Sequence, residues 1–168
     1  MSQSNTILLV DDSPSILKAL QRTLRAEGYR TYTANSADEA LKVLDGVEID
    51  LIVTDENMPG TTGTKLLQIV RDRYPDIVRF MLTGATDIDV AKNAINKGEI
   101  RRFFTKPWDD FELQIAVRQA LDQKHLEREN QRLRTVVREQ EDMLKDLESK
   151  YPGISEKRVE ADGTIIID

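Results

Sequence analysis

Five short apolar runs alternate with longer amphipathic stretches along most of this chain, and that alternation leaves few folds open. The runs are "TILLV" (6–10), "RTYTA" (30–34), "DLIVT" (50–54), "IVRFML" (77–82) and "RRFFT" (101–105). Three are almost continuously apolar, as parallel strands covered on both faces are. The "RTYTA" run alternates instead and reads as an edge strand. Between the runs lie helices with start and stop signals. Ser13 and Pro14 open the first, its apolar stripe is Ile16, Leu17, Leu20 and Leu24, and Gly28 closes it. Ser36 with Glu39 three residues on makes a capping-box pattern for the second. The third spans about Thr62 to Tyr74, before Pro75, and the fourth about Thr86 to Lys97, before Gly98. Strand then helix, repeated, predicts an α/β fold with a parallel sheet and right-handed crossovers.

The fifth helix is of another kind. No Pro or Gly falls between Asp109 and Pro152, so one helix of roughly forty residues is expected, about 60 Å long at ~1.5 Å per residue. Its early apolar residues, Leu113, Ile115, Ala116, Val117, Ala120 and Leu121, suit a sheet face. Its later ones follow a heptad. Leu126, Leu133, Gln140 and Leu147 fall at d, and Asn130, Val137, Leu144 and Tyr151 at a. Leu at d, with Val and a lone Asn at a, favours a parallel two-stranded coil, although Gln140 weakens the seam. Glu129 at g would face Arg134 at e of the partner. The competing reading is a solvated single helix. His125, the only histidine, falls at an outward c position and reads as solvated. Beyond Pro152, "KRVEADGTIIID" suggests a β-hairpin around Asp162-Gly163. The expected division is a globular domain at 5–122, a coil at 123–151 and a tail at 152–168.

Composition narrows the class. With 168 residues, 39% apolar and 32% charged, the chain fits one ordinary core plus a solvated charged element. The net charge of −6 argues against a general nucleic-acid binder. The absence of cysteine excludes disulfides, thiolate metal sites and cysteine nucleophiles. The short polar "MSQSN" start reads as no signal peptide, and no apolar run approaches the ~20 residues of a membrane span. A soluble cytoplasmic protein is the expectation.

In open α/β sheets ligands bind outside the carboxyl ends of the strands. Here those ends carry Asp11 and Asp12 after the first strand, Asp55 after the third, Thr83 after the fourth and Lys106 after the fifth. Each alone has a bland explanation: a helix cap, a loop acid, a turn, a surface lysine. Their placement on four strand tips raises the odds of a site. Close carboxylates repel, and a divalent cation resolves that. Hard oxygen donors without His or Cys point to Mg²⁺ shared with a phosphoryl group. A lysine supplies a point charge, a central carboxylate can become an aspartyl phosphate, and a threonine can bind a phosphoryl oxygen. Trp108 reads equally as core packing or as partner surface.

The stretches "LLVDD" (8–12), "VTDENMPGTTG" (53–63), "MLTGA" (81–85) and "FFTKPW" (103–108) together strongly resemble the receiver domain of two-component response regulators. The resemblance covers about residues 5 to 122. It implies a doubly wound five-stranded parallel sheet of order 2-1-3-4-5, flavodoxin-like, with the last helix extended into the coiled coil. It implies Asp55 as phosphoacceptor, with Asp12 binding Mg²⁺ directly, Asp11 through water and Asn57 through its backbone carbonyl. Lys106 would pair with the phosphoryl group, and the Lys106–Pro107 bond would be cis. Thr83 and Phe103 would form the switch pair, Phe103 standing where Tyr is commoner. Asn57 and Ala85 would tune dephosphorylation.

The resemblance implies a sensor histidine kinase or phosphotransfer protein as donor, with self-phosphorylation from small donors and autodephosphorylation the only chemistry of its own. The natural output runs through the last helix into a parallel homodimeric coil and on to an effector domain or protein. Two other functions compete. A Mg²⁺-dependent phosphohydrolase of the haloacid-dehalogenase class would carry its nucleophile after the first strand with a second Asp two residues on, whereas here it follows the third and residue 57 is Asn. A non-responding coiled-coil scaffold would not need the full acid set.

Overall fold

The computed structural model describes residues 5–152. Its elements are β1 (Thr6–Val10), α1 (Pro14–Arg25), β2 (Arg30–Ala34), α2 (Ala37–Gly46), β3 (Leu51–Asp55), α3 (Gly63–Arg73), β4 (Val78–Thr83), α4 (Ile88–Asn96), β5 (Arg102–Thr105) and α5 (Asp110–Lys150). A 3₁₀ turn, Ala85–Asp87, precedes α4, so that helix starts later than its sequence suggests. The strands form one sheet of order β2-β1-β3-β4-β5, all neighbours parallel. This is the doubly wound fold expected, with β3 at the centre.

Local chemistry sets the helix ends. The Ser13 hydroxyl accepts from the Ile16 amide, Ser36 from Glu39 and Thr62 from Lys65, each capping an otherwise unpaired donor. Asp109 does the same for the Glu112 amide at the start of α5. Gly98 follows the end of α4 at a φ of 73°, a conformation that disfavours a side chain.

The sheet divides the core. On one face Leu8, Val10, Ile52 and Met81 pack with α2, α3 and α4; on the other Ile7, Leu9, Val53, Phe80 and Leu82 pack with α1 and the first turns of α5. Every residue of β1 and β3 is buried, while β2 is exposed or half-buried except at Ala34. A truncation such as Leu9→Ala would cost about 2–5 kcal/mol.

Contacts divide the chain after Lys124, with a second unit beginning at His125. In the first unit, α5 buries Leu113, Ala116, Val117, Ala120, Leu121 and Lys124. The Lys124 ammonium donates to the Asp50 main-chain oxygen at 3.1 Å, where β3 begins. In the second unit the heptad residues Leu126, Asn130, Leu133, Val137, Leu144 and Leu147 are all exposed. Val136 and Met143, outside the a and d positions, are exposed as well, so the apolar stripe is wider than the two-position seam. His125 is half-buried. The suggested hairpin lies outside the described residues. Among the described residues, no helix is long and apolar enough to cross a membrane.

Gly63 is where packing is least forgiving. A β-carbon there would sit 2.2 Å from the Asp55 main-chain oxygen. Gly63→Ala is therefore expected to destabilise the fold by about 1–3 kcal/mol in urea unfolding. An unchanged midpoint would show that the α3 entry can retreat from β3.

Candidate functional site

Three strands end together. β1 leads into Asp11 and Asp12, β3 ends on Asp55, and β5 leads into Lys106, which is followed by a cis bond to Pro107. One carboxylate oxygen from each of Asp11, Asp12 and Asp55 lies within 4.8 Å of the other two. The Lys106 ammonium stands 3.0 Å from Asp11 Oδ2 and 3.1 Å from Asp55 Oδ1. Asp11 and Asp55 are buried, whereas Asp12 is exposed. Asp11 Oδ1 also accepts from the Ser13 amide at 2.9 Å.

Burial sets the electrostatics. Loss of solvent pushes the Asp11 carboxyl above its ordinary range, the Ser13 and Lys106 hydrogen bonds oppose this, and the Asp55 charge adds to it. Burial also pulls on Lys106, in the opposite sense. There the hydrogen bonds and charges of Asp11 and Asp55 win, and its ammonium holds its proton more tightly than usual. The cluster is thus an acid pocket with one cation in it. Its donors are carboxylate oxygens, which suit a hard divalent ion such as Mg²⁺.

The other predicted residues lie on β4, on β5 and on the loops that follow β3, β4 and β5. Thr83 is fully buried at the tip of β4, its hydroxyl donating to the Gly84 main-chain oxygen at 3.2 Å. Phe103 is half-buried against the core on the α4 side, and Ala85 is exposed. The Asn57 side-chain amide donates to Asp87 in the turn before α4, joining two loops beside the site. Trp108 packs partly on the core, and with Ile16, Lys106, Pro107 and Asp110 it lines a hollow of about 440 Å³. Core packing and a surface role are therefore both open to it.

Glu56 was not read from sequence as a site residue. It is 7% exposed, and its Oε1 accepts from both the amide and the hydroxyl of Thr64 at 2.7 Å. A signal was available: the first turn of α3 has no acid of its own, and Glu56 brings one from across the loop.

A doubly wound sheet with an acid pocket at its carboxyl edge, closed by a lysine, defines the class of protein. A family model described as the response regulator receiver domain matches residues 7–118, and the chain belongs to that family. The hydrogenase transcriptional regulatory protein HoxA of Cupriavidus necator is 37% identical over 145 residues, 86% of this chain but 30% of that protein. The C4-dicarboxylate transport transcriptional regulatory protein DctD of Rhizobium meliloti is 33% identical over 80% of this chain and 29% of its own. The chain spans about a third of the length of such relatives. Among solved structures, the signal receiver domain of an HD domain-containing protein from Pseudomonas fluorescens is 41% identical, with a TM-score of 0.71 over 77% of this chain and 95% of that one. NtrX from Brucella abortus is 30% identical, with a TM-score of 0.73 over 78% of this chain and 30% of that one.

The raised carboxyl of Asp11 has a consequence for stability. The folded state holds that proton more tightly than the unfolded chain does. Ionising Asp11 therefore costs stability as pH rises from the ordinary carboxylate range through the raised value. Asp11→Asn is expected to raise the urea midpoint in metal-free buffer at pH 7. The gain should shrink toward pH 4, where the wild-type carboxyl takes up its proton. Urea unfolding at the two pH values tests this, and a loss of stability at pH 7 would contradict it.

Proposed function

We propose that this chain is a phosphorylation-controlled signalling receiver, residues 5–122, whose last helix carries the change into a coiled coil, residues 123–151. The observation that supports it most is the Lys106 ammonium lying between Asp11 and Asp55, with Asp12 alongside. Asp55 is the acceptor. One of its oxygens forms a new P–O bond while the P–N bond of a phosphohistidine breaks, on a sensor histidine kinase or a phosphotransfer protein. The electron pair stays with the imidazole nitrogen, which takes up a proton, and Asp55 becomes an acyl phosphate. A small donor such as acetyl phosphate gives the same product with acetate leaving.

Asp11, Asp12 and Asp55, with the Asn57 backbone carbonyl, would hold Mg²⁺. When bound, that ion supplies charge neutralisation for the phosphoryl oxygens. Lys106 provides a second positive charge. Thr83 hydrogen-bonds the arriving phosphoryl group, and Phe103 turns inward behind it. Asn57 and Ala85 tune how soon water removes the group. The chemistry ends there, with no further substrate turned over.

The added charge biases a pre-existing two-state equilibrium of the receiver. Because α5 continues without a break to Lys150, its output is a change in helix pairing. The seam of Leu126, Asn130, Leu133, Val137, Leu144 and Leu147 pairs with a second copy in parallel. Several relatives are named as transcriptional regulators and are about three times longer, which supports an effector domain or protein as the recipient. The net charge of −6 supports no direct nucleic-acid contact by this segment, and a cytoplasmic, membrane-free setting suits the donor.

Acetyl phosphate with Mg²⁺ should add one phosphoryl group by intact mass, and Asp55→Asn should abolish the uptake. Uptake that survives the substitution would remove Asp55 from its role. By sedimentation the chain should be a dimer at tens of micromolar, and Leu133→Asn with Leu144→Asn should make it a monomer. A monomeric wild type, with or without phosphorylation, would rule out the coil.

A further inference from the structure

The residue after the proposed acceptor has no part in the reaction described above, yet it is a buried acid held by several hydrogen bonds. Glu56 is anchored at its amide, its carbonyl and its carboxylate Oε1. Its amide donates to Leu82 at 3.0 Å, and its carbonyl accepts from Gly63 at 3.0 Å. Its carboxylate takes both donors of Thr64. Thr64 is the second residue of α3, so its amide is one of the donors a helix leaves unpaired at its start. Thr62 caps Lys65, and Glu56 caps Thr64. An anion at that position is also favoured by the helix dipole.

The geometry points to Glu56 as a positioning residue for cation binding, acting by closing the β3–α3 loop on itself. That loop, 57–62, carries Asn57. It is fixed in four ways: the Asn57 side-chain amide donates to Asp87, Met58 is buried in the core, Gly63 lies against the Asp55 backbone, and the Glu56 carboxylate joins the two ends. Met58 and Gly63 act through apolar packing and close backbone approach. Asn57 ties the loop outward to Asp87, and Glu56 alone among the four closes it on itself with charge-assisted bonds, about twice the strength of neutral ones. The same bonds turn a buried carboxylate toward α3 and leave the phosphoacceptor cluster with its own three acids. Supports of this kind, one step removed from the ligands, typically change metal affinity 10–100-fold when removed.

This inference rests on the proposed Mg²⁺ site, and the experiment separates the two. Mg²⁺ is titrated into the metal-free full chain by calorimetry for wild type, Glu56→Ala, Glu56→Gln, Thr64→Val and Val70→Ala. Val70 is a buried α3 residue away from the loop, and its truncation reports destabilisation alone. Glu56→Ala should weaken Mg²⁺ binding about tenfold. Glu56→Gln, which keeps an acceptor for Thr64, should recover most of that loss. Thr64→Val should weaken binding by a smaller factor, and Val70→Ala should leave it unchanged. Acetyl phosphate kinetics should then show a higher Mg²⁺ requirement for Glu56→Ala, with a near-normal rate at saturating Mg²⁺. Equal affinities for Glu56→Ala and wild type would overturn the inference. So would a loss in Glu56→Ala with none in Thr64→Val, because Glu56 would then act on the ion itself. A wild type that binds no Mg²⁺ would remove the site and this inference together.

Discussion

The Lys106 ammonium between Asp11 and Asp55 is the contact on which this edge of the molecule depends. Two carboxylates buried at adjacent strand tips would otherwise face each other with little solvent to screen them. One ammonium within about 3 Å of both offsets that repulsion, and their charge in turn keeps it protonated. The arrangement is reciprocal. Removing the lysine would leave two uncompensated buried acids, a far larger cost than the net worth of the pair. A phosphoryl group or a divalent cation entering here would redistribute charges already held in tension. That is a reason for a signalling site to be built from paired charges rather than from solvated ones.

The sheet makes this possible by being covered on both faces. A strand buried throughout, like β3, can emerge only at its ends, so its polar residues collect at the carboxyl edge. The opposite edge is finished differently. There the Asp50 amide donates to the Thr6 carbonyl, its carboxylate accepts from the Thr6 amide, and its carbonyl accepts from the Val78 amide and the Lys124 ammonium. One aspartate thus joins the starts of β1, β3 and β4 to the last buried residue of α5. The first compact unit ends at that lysine.

Local pattern and long-range pairing were unequally legible in the sequence. The five strands, their burial and the helix caps follow from apolar runs, alternation and Ser, Thr and Pro placement, because those signals act within a few residues. Lys106 beside Asp11 spans 95 positions and was legible only because each residue sits at a strand tip, where the fold itself brings them together. Glu56 with Thr64, Gln68 with Glu99 and Asp50 with Lys124 have no such rule. They arise from side-chain reach after the helices have docked, and no periodicity encodes them. The 3₁₀ turn before α4 was missed for a related reason: Ala85, Thr86 and Asp87 are acceptable helix residues, and only the hydrogen bond from Asp87 to Gly84 tightens them.

The wide apolar stripe of the second unit bears on how its pairing would be specified. An a/d seam alone is narrow, and Val136 and Met143 extend it toward one side. Apolar residues at g remove charged g–e pairs that would otherwise help set orientation, so more of the choice falls on Asn130 and Gln140. Both are exposed on this helix and polar, and each prefers a like partner across a seam to an apolar one. In a parallel pair, Asn130 meets Asn130 and Gln140 meets Gln140. An antiparallel or slipped pair sets each against leucine or valine. The two residues that weaken the seam are therefore the two that would hold it in register, and a modest shift in α5 could be read by such a marginal coil where a stronger one would resist it.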